Sequence, residues 1–399
     1  MDDRRLLYAS ALLRALATGF IGVLLGFYLA AIRLDAGAIG VVVGFGLAGV
    51  AAGVLLVTVA ADRLGHRRLL VGLALLTGLG GVAFAFTSTT WAAAAAAFMG
   101  MVNGMGRDRG GALVLEQAIL PATVGDAERT RTFAIYHLLQ DAGHALGALL
   151  AGVPGMLDAA HGAGELPPLR NAIVIYACVA AAPVLLYARL TASVEPVVAA
   201  SRLRMSPATR AILWKIGSLF ALDSFGGGFL ATTLLTYFFI ERFGVGTAEI
   251  GALFFAARVL NAVSHVGAAW LARRIGLVNT MVFTHIPSSL LLVTVPFMPN
   301  FTVAAILFLI REGLVEMDVP TRQSYVMAMV RPEERTVVGG VTHLIRLAGW
   351  ATAPLIAGYF MQNLALATPL VIGATLKIAY DVLLYRAFRH AKPPEERAG

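Results

Sequence analysis

The sequence predicts an all-α integral membrane protein, with twelve helices crossing a bilayer as two like six-helix bundles. Three observations predict it. Of 399 residues, 58% are hydrophobic and 14% charged, against roughly 45–50% and 25% in soluble domains. The apolar residues gather in blocks of about 20–25, the length a helix needs to cross the hydrocarbon layer. The chain also nearly repeats itself. Residues 134–152 read AIYHLLQDAGHALGALLAG and residues 340–358 read GVTHLIRLAGWATAPLIAG. His137 falls on His343 and Gly143 on Gly349, and the same offset lines up Glu128-Arg129-Thr130 with Glu334-Arg335-Thr336. A barrel would show segments of about ten residues with period two, and none is present.

The spans follow in order. Span 1, over 6–32, succeeds Asp2, Asp3, Arg4 and Arg5; it is too long for a signal peptide and lacks a small-residue cleavage site. Span 2 (37–61) ends at Asp62-Arg63, and span 3 (68–88) begins after His66-Arg67-Arg68. Span 4 (91–121) is one long apolar run with Arg107, Asp108, Arg109 and Glu116 inside it; its glycines Gly104, Gly106, Gly110 and Gly111 read as a close-packing surface. Span 5 (129–156) carries the first copy of the repeat, and span 6 (169–190) holds the single cysteine, Cys178, so no disulfide framework exists. The polar stretch 191–210, with Pro196, Arg202, Arg204, Pro207 and Arg210, is the border between a first half, 1–190, and a second, 211–399. Spans 7 to 12 are expected over 211–240, 247–272, 276–297, 301–329, 334–361 and 366–387.

Basic residues set the orientation. Alternate connections hold Arg63, Arg67 and Arg68, then Arg129 and Arg131, then Arg202, Arg204 and Arg210, then Arg273 and Arg274, then Arg331 and Arg335. The opposite connections are short and poor in Lys and Arg, Arg33 and Arg242 excepted. Positive loops stay inside, so both termini are expected in the cytoplasm and the chain in the plasma (inner) membrane. The formal net charge of +8 sits in these loops, which excludes nucleic-acid binding as its reason.

With these residues assembled, the chain resembles the major facilitator superfamily. The stretch Ala61-Asp62-Arg63-Leu64-Gly65-His66-Arg67-Arg68 is similar to that family's loop signature, G-x-x-x-D-R-x-G-R-[RK], with Thr58 in place of the leading Gly and His66 in place of an Arg. Arg107 followed by Gly111 resembles its R-x-x-x-G pattern in span 4. Gly143-x-x-x-Gly147 with Gly152 resembles the glycine-rich motif of its antiporter branches, Ala148 standing where that motif has Pro. The resemblance covers the whole chain. It implies two bundles around a central cavity lined by spans 1, 4, 7 and 10, and a conformational latch at Asp62, Arg63, Arg67 and Arg68.

The chemistry lies in charges within the spans. A charge at mid-membrane costs roughly 2.5–3.5 kcal/mol on insertion scales, so it is paired, solvated or functional. Arg14, Arg107, Arg109, Arg311, Arg322 and Arg346, with Glu116, Asp223 and His343, are the candidate solute-binding residues; Arg recognises carboxylates and phosphates with two parallel hydrogen bonds. Asp108, Asp141, Glu312, Glu316, Asp318 and His137 are the candidate proton carriers. Helical spacing puts Arg311, Asp318 and Arg322 on one face of span 10, and His137, Gln140, Asp141 and His144 on one stripe of span 5. Arg258, Asn261 and His265 share a stripe of span 8, and His343, Arg346 and Trp350 one of span 11. Lys377 and Asp381, four apart, read as a pair neutralising itself. Glu116 and Arg322 fall at corresponding positions of the two halves, so an acid and a base are expected to face each other across the cavity, and the double change to Gln to restore folding.

The sequence therefore reads as a proton-coupled secondary transporter of a small anionic or zwitterionic solute, working by alternating access. The alternative within transport is a multidrug/proton antiporter exporting lipophilic compounds. The alternative from another class is a non-transporting receptor or sensor, which is expected to carry an appended soluble domain. No phosphate loop of the G-x-x-x-x-G-K-[ST] kind is present, and His137 and His144 stand as a lone pair. No enzyme activity, metal or cofactor is expected; the partners are a small-molecule solute, protons and the bilayer, and the chain is expected to be a monomer.

Overall fold

A computed structural model describes residues 2–125, 128–156, 166–195, 206–319, 322, 330, 331 and 334–388. Among the described residues there are helices and short connections and no strand. Nine helical stretches among the described residues are long and apolar enough to span a membrane: Asp3–Ala31, Ala36–Leu64, His66–Ala85, Leu166–Tyr187, Thr209–Phe243, Thr247–Ile275, Leu277–Phe297, Val337–Asn363 and Thr368–Phe388. Three shorter or more polar segments stand where spans 4, 5 and 10 were expected: Thr90–Met99 with Gly111–Ile119, Arg129–Leu150, and Phe301–Val315. The order is consistent with twelve crossings.

Local chemistry sets the helix ends. Side-chain oxygens of Asp35, Thr89, Ser206 and Asn300 accept the N–H groups of Ala38, Ala92, Thr209 and Val303, satisfying donors that a first turn leaves open. Spans 2 and 3 are joined by a single residue, Gly65, at φ +85°, and spans 8 and 9 by Gly276 at φ +87°. Only glycine reverses the chain there without strain, so residues 61–65, ADRLG, and 272–276, ARRIG, end in the same turn in the two halves. Glu195 accepts the N–H groups of His66 and Arg67 at 2.7 and 3.2 Å, placing a carboxylate on the positive start of span 3. In the second half Glu334 ties the start of span 11 to that of span 7. It accepts from Arg331, from the Thr209 hydroxyl and from the Ser206 N–H, and these bonds hold its carboxyl at about 2, below the usual range.

Packing inside the bundle relies on small residues, which let helices approach where lipid offers no hydrophobic contrast. Span 5 lays Gly143 and Gly147 on Leu12 and Leu16 of span 1, so the glycine-rich motif is a helix-contact surface. The two halves meet at the end of the bundle away from the described chain ends. There Gly40 and Gly44 of span 2 lie on Pro354, Gly358 and Leu355 of span 11, and Gly152 and Gly155 of span 5 bond Thr247 of span 8 at 3.0 and 3.1 Å. Asp35 and Gln362 close the rim at 3.1 Å. At the opposite end, among the described residues, no hydrogen bond or ion pair joins the halves. Among the described residues, the halves are therefore tied together at one end and not at the other.

Candidate functional site

Span 4 is not one helix. It runs as Thr90–Met99, breaks, and resumes as Gly111–Ile119. This corrects the expectation of a continuous span. The break includes Met101 at φ +49° and Gly106 at φ +66°. Asn103 builds the turn: its Nδ2 donates to the Arg107 carbonyl at 2.6 Å and its Oδ1 accepts from the Met105 N–H at 2.9 Å. The break also packs against span 1 at Gly22, where a Cβ would collide with the Gly106 backbone.

A broken helix in a membrane leaves carbonyls that something must satisfy. Here the second half does so. Thr233 donates its N–H to the Gly104 carbonyl at 3.1 Å, and Thr232 its hydroxyl to that of Met105 at 2.9 Å. The Arg258 guanidinium reaches the same Met105 carbonyl at 3.4 Å, and His343 Nε2 donates to the Arg109 carbonyl at 3.3 Å. The break is therefore the joint between the halves and carries Arg107, Asp108 and Arg109 into it.

Three groups of charges surround this joint. In the first half Arg14 bridges Asp108 and Glu116, each at 2.5 Å. Glu116 is fully buried and also accepts the hydroxyls of Tyr136 and Tyr187 at 2.7 and 2.6 Å. His144 Nε2 accepts the Asp108 N–H at 2.8 Å. A cavity of about 70 Å³ lies behind this cluster, bordered by Arg14, Thr18, Thr77, Asp108 and Tyr176. In the second half Asp223 is held by Lys377 at 2.9 Å, Arg346 at 3.3 Å and Arg322 at 3.4 Å, and Arg322 also pairs with Asp318. Lys377 lies 3.4 Å from His285 Nε2, whose Nδ1 lies 3.0 Å from both oxygens of Asp381.

The third group is between them. Arg107 pairs with Glu316 of span 10 at 2.9 Å. Arg109 stacks on the Trp350 ring at 3.6 Å, and Arg346 lies 4.8 Å from the same ring. Arg311 pairs with its neighbour Glu312, which also accepts from Asn261 at 3.0 Å. Among the described residues, neither Arg109 nor Arg258 has a carboxylate within ion-pair distance.

Several expectations need correction. Glu116 and Arg322 do not face each other: each is held by its own half, through span 1 and span 7 respectively. Lys377 and Asp381 do not neutralise each other, because buried partners on spans 7 and 9 take them separately. Arg311 leaves the Asp318–Arg322 face; the regular helix ends at Val315, so face counting beyond it fails. His137 does not copy His343. It is exposed beside Phe133 and Tyr136, their ring centroids 6.4 and 5.7 Å away, while Asp141 is half-buried. Asp62, Arg63, Arg67 and Arg68 lie exposed at the parted end, Arg67 donating to the Ala188 carbonyl at 2.5 Å. Pro196, Arg202 and Arg204 of the stretch between the halves lie outside the described residues. Sequence reasoning missed Tyr136, Tyr187, His285 and Asn103 as parts of these clusters. Only Asn103, beside a glycine run inside an apolar span, left a signal.

A sequence profile of the Major Facilitator Superfamily matches residues 7–354. The chain is 26% identical over 416 residues to an uncharacterized membrane protein of Saccharomyces cerevisiae, covering 96% of this chain and 93% of that protein. Its structure is similar to that of the nucleoside transporter NupG, with a TM-score of 0.74 at 13% identity, covering 98% of this chain and 100% of the other. It is similar also to a D-xylose-proton symporter, with a TM-score of 0.72 at 14% identity over 96% of each chain. At such identities the likeness is one of fold.

Proposed function

This chain belongs to the major facilitator superfamily of membrane transporters, and we propose that it moves a small anionic or zwitterionic solute by alternating access, with protons as the coupling ion. The observation that carries this reading is the pair Arg109 and Arg258. Both stand where the halves meet, at the broken part of span 4, and neither has a carboxylate partner among the described residues. Discontinuous helices at the joint of two repeats are where transporters of this architecture hold their solutes. A guanidinium beside carbonyl oxygens and an aromatic ring keeps its forked donors for a carboxylate or phosphate. A lipophilic cation meets repulsion at this place, which argues against the multidrug reading.

The closed end and the parted end fit one state of an alternating cycle. With the basic loops inside, the parted end faces the cytoplasm, so both termini lie in the cytoplasm and this state admits solute from within. The exposed residues at Asp62, Arg63, Arg67 and Arg68 are proposed to latch that end when it closes.

The test is direct binding to purified protein in lipid nanodiscs, using inorganic phosphate, citrate, a sugar phosphate and a lipophilic ammonium ion. At least one anion should bind, with Arg109→Gln and Arg258→Gln each weakening it about tenfold or more, the size of a lost charge-assisted hydrogen bond of about 1.5–3 kcal/mol. Binding of the lipophilic cation alone, untouched by either change, would sink the reading.

A further inference from the structure

From the edge of the solute site, the second half buries a chain of titratable groups whose inner members, Asp381, His285 and Lys377, the transport reading does not use. It runs from Asp381 to His285, to Lys377, to Asp223, and from there to Arg346 and Arg322. His285 and Asp381 are 1% and 0% exposed, deep between spans 9 and 12. Charged groups in such a place are costly to insert, so their presence calls for a reason beyond packing. We propose that the His285–Asp381 pair binds the proton that travels with the solute, and that Lys377 and Asp223 couple it to the anion site. This rests on the anion-transport reading above and adds the identity of the coupling group.

Charge balance carries the argument. His285 touches Asp381 and Lys377 on span 12, with the Tyr380 ring at 6.2 Å; beyond Lys377 lie Asp223 on span 7, then Arg346 on span 11 and Arg322 with Asp318 on span 10. Asp223, Asp318 and Asp381 alternate with Arg322, Arg346 and Lys377, so with these six charged and His285 neutral their charges cancel. The geometry suits that form. Nδ1–H donates to Asp381, and the lone pair on Nε2 accepts from the Lys377 ammonium at 3.4 Å.

A proton on Nε2 would place an imidazolium against that ammonium. It is tolerated only when Lys377 turns fully onto Asp223. Arg346 decides when this happens, because it shares Asp223 with Lys377 and shares the Trp350 ring with Arg109. An anion arriving between Arg109 and Arg346 draws Arg346 from Asp223. Asp223, short of one cation, then tightens on Lys377 and frees Nε2. The proton that enters offsets the charge of the anion, so anion and proton bind together and leave together. The proton adds to the Nε2 lone pair, and Nδ1–H stays on Asp381. Linkage makes the effect reciprocal.

The test uses ¹⁵N-histidine-labelled wild-type protein in nanodiscs, with the His285 signal assigned by its loss in His285→Gln. Citrate and inorganic phosphate serve as probe anions, and tryptophan fluorescence reports their binding separately. On acidification the His285 signal should pass from the neutral form to imidazolium at a higher pH when the anion is bound than when it is absent. Anion affinity should rise by up to about tenfold per pH unit on lowering the pH, the limit for one linked proton. His285→Gln should flatten that dependence and abolish anion-triggered proton uptake measured with a pH dye. A His285 signal that stays neutral to pH 5 with anion bound overturns the inference and leaves the anion reading standing. A titration that ignores a bound anion overturns it equally. Failure of both anions to quench fluorescence, by contrast, strikes the anion reading itself.

Discussion

Glu116 and Arg322 show how much a single residue's neighbours decide. Both are buried, and they fall at corresponding positions of the two halves. Yet Glu116 answers Arg14, Tyr136 and Tyr187, whereas Arg322 answers Asp318 and Asp223. The same tie, from the first helix of a half to its fourth, is made twice with opposite polarity: base to acid in one half, acid to base in the other. Removing one member of a buried pair strands its partner, at about 3–5 kcal/mol. Glu116→Gln and Arg322→Gln should therefore each lower thermal stability strongly. Because the two clusters share no partner among the described residues, the double variant should show the sum of the losses within about 0.5 kcal/mol, with no rescue. Differential scanning calorimetry in detergent checks this, and a double variant more stable than either single one would show that the clusters communicate directly.

At the scale of the element, span 4 is the informative case. Its break depends on Gly106, whose φ of +66° costs a side-chain-bearing residue about 1–2 kcal/mol. A methyl there would also stand 3.1 Å from the Arg258 guanidinium and the Thr232 hydroxyl. Gly106→Ala is expected to destabilise by that amount and to weaken anion binding, because it shifts the carbonyls that meet Arg258 and His343. Gly72→Ala in span 3 is the control: a Cβ there meets nothing within 4 Å, and alanine is the better helix former, so stability should hold or rise. Anion affinity at the wild-type level in Gly106→Ala would mean that the break does not position the site.

The whole molecule is organised by contact between its halves at one end. Small residues of spans 2, 5, 8 and 11 interlock there, and the Asp35–Gln362 contact lies at the rim. Opening that end requires these helices to part. Cysteines at Asp35 and Gln362, once oxidised, should hold the end shut. Exchange of the bound anion across proteoliposome membranes should stop and then recover with a reductant, while binding to the solubilised cross-linked protein persists. Exchange that continues through the cross-linked form would argue against alternating access by this route.

The sequence by itself determined the class, because membrane insertion depends on apolar length and loop charge, both of which are local. It also determined the duplication and the paired glycine turns at Gly65 and Gly276, since a left-handed backbone leaves few alternatives to glycine. It named most of the charges at the joint, because an ion inside an apolar run is conspicuous wherever the helix faces. Tertiary structure alone decided which charges meet. Lys377 reached across to Asp223 instead of down its own helix, and His285 joined Asp381 from another span. Arg109 was left with an aromatic ring in place of an acid. Periodicity fixes the face of a helix, but the partner of a buried charge is whatever the neighbouring helices present, and that is set by packing among spans far apart in the chain.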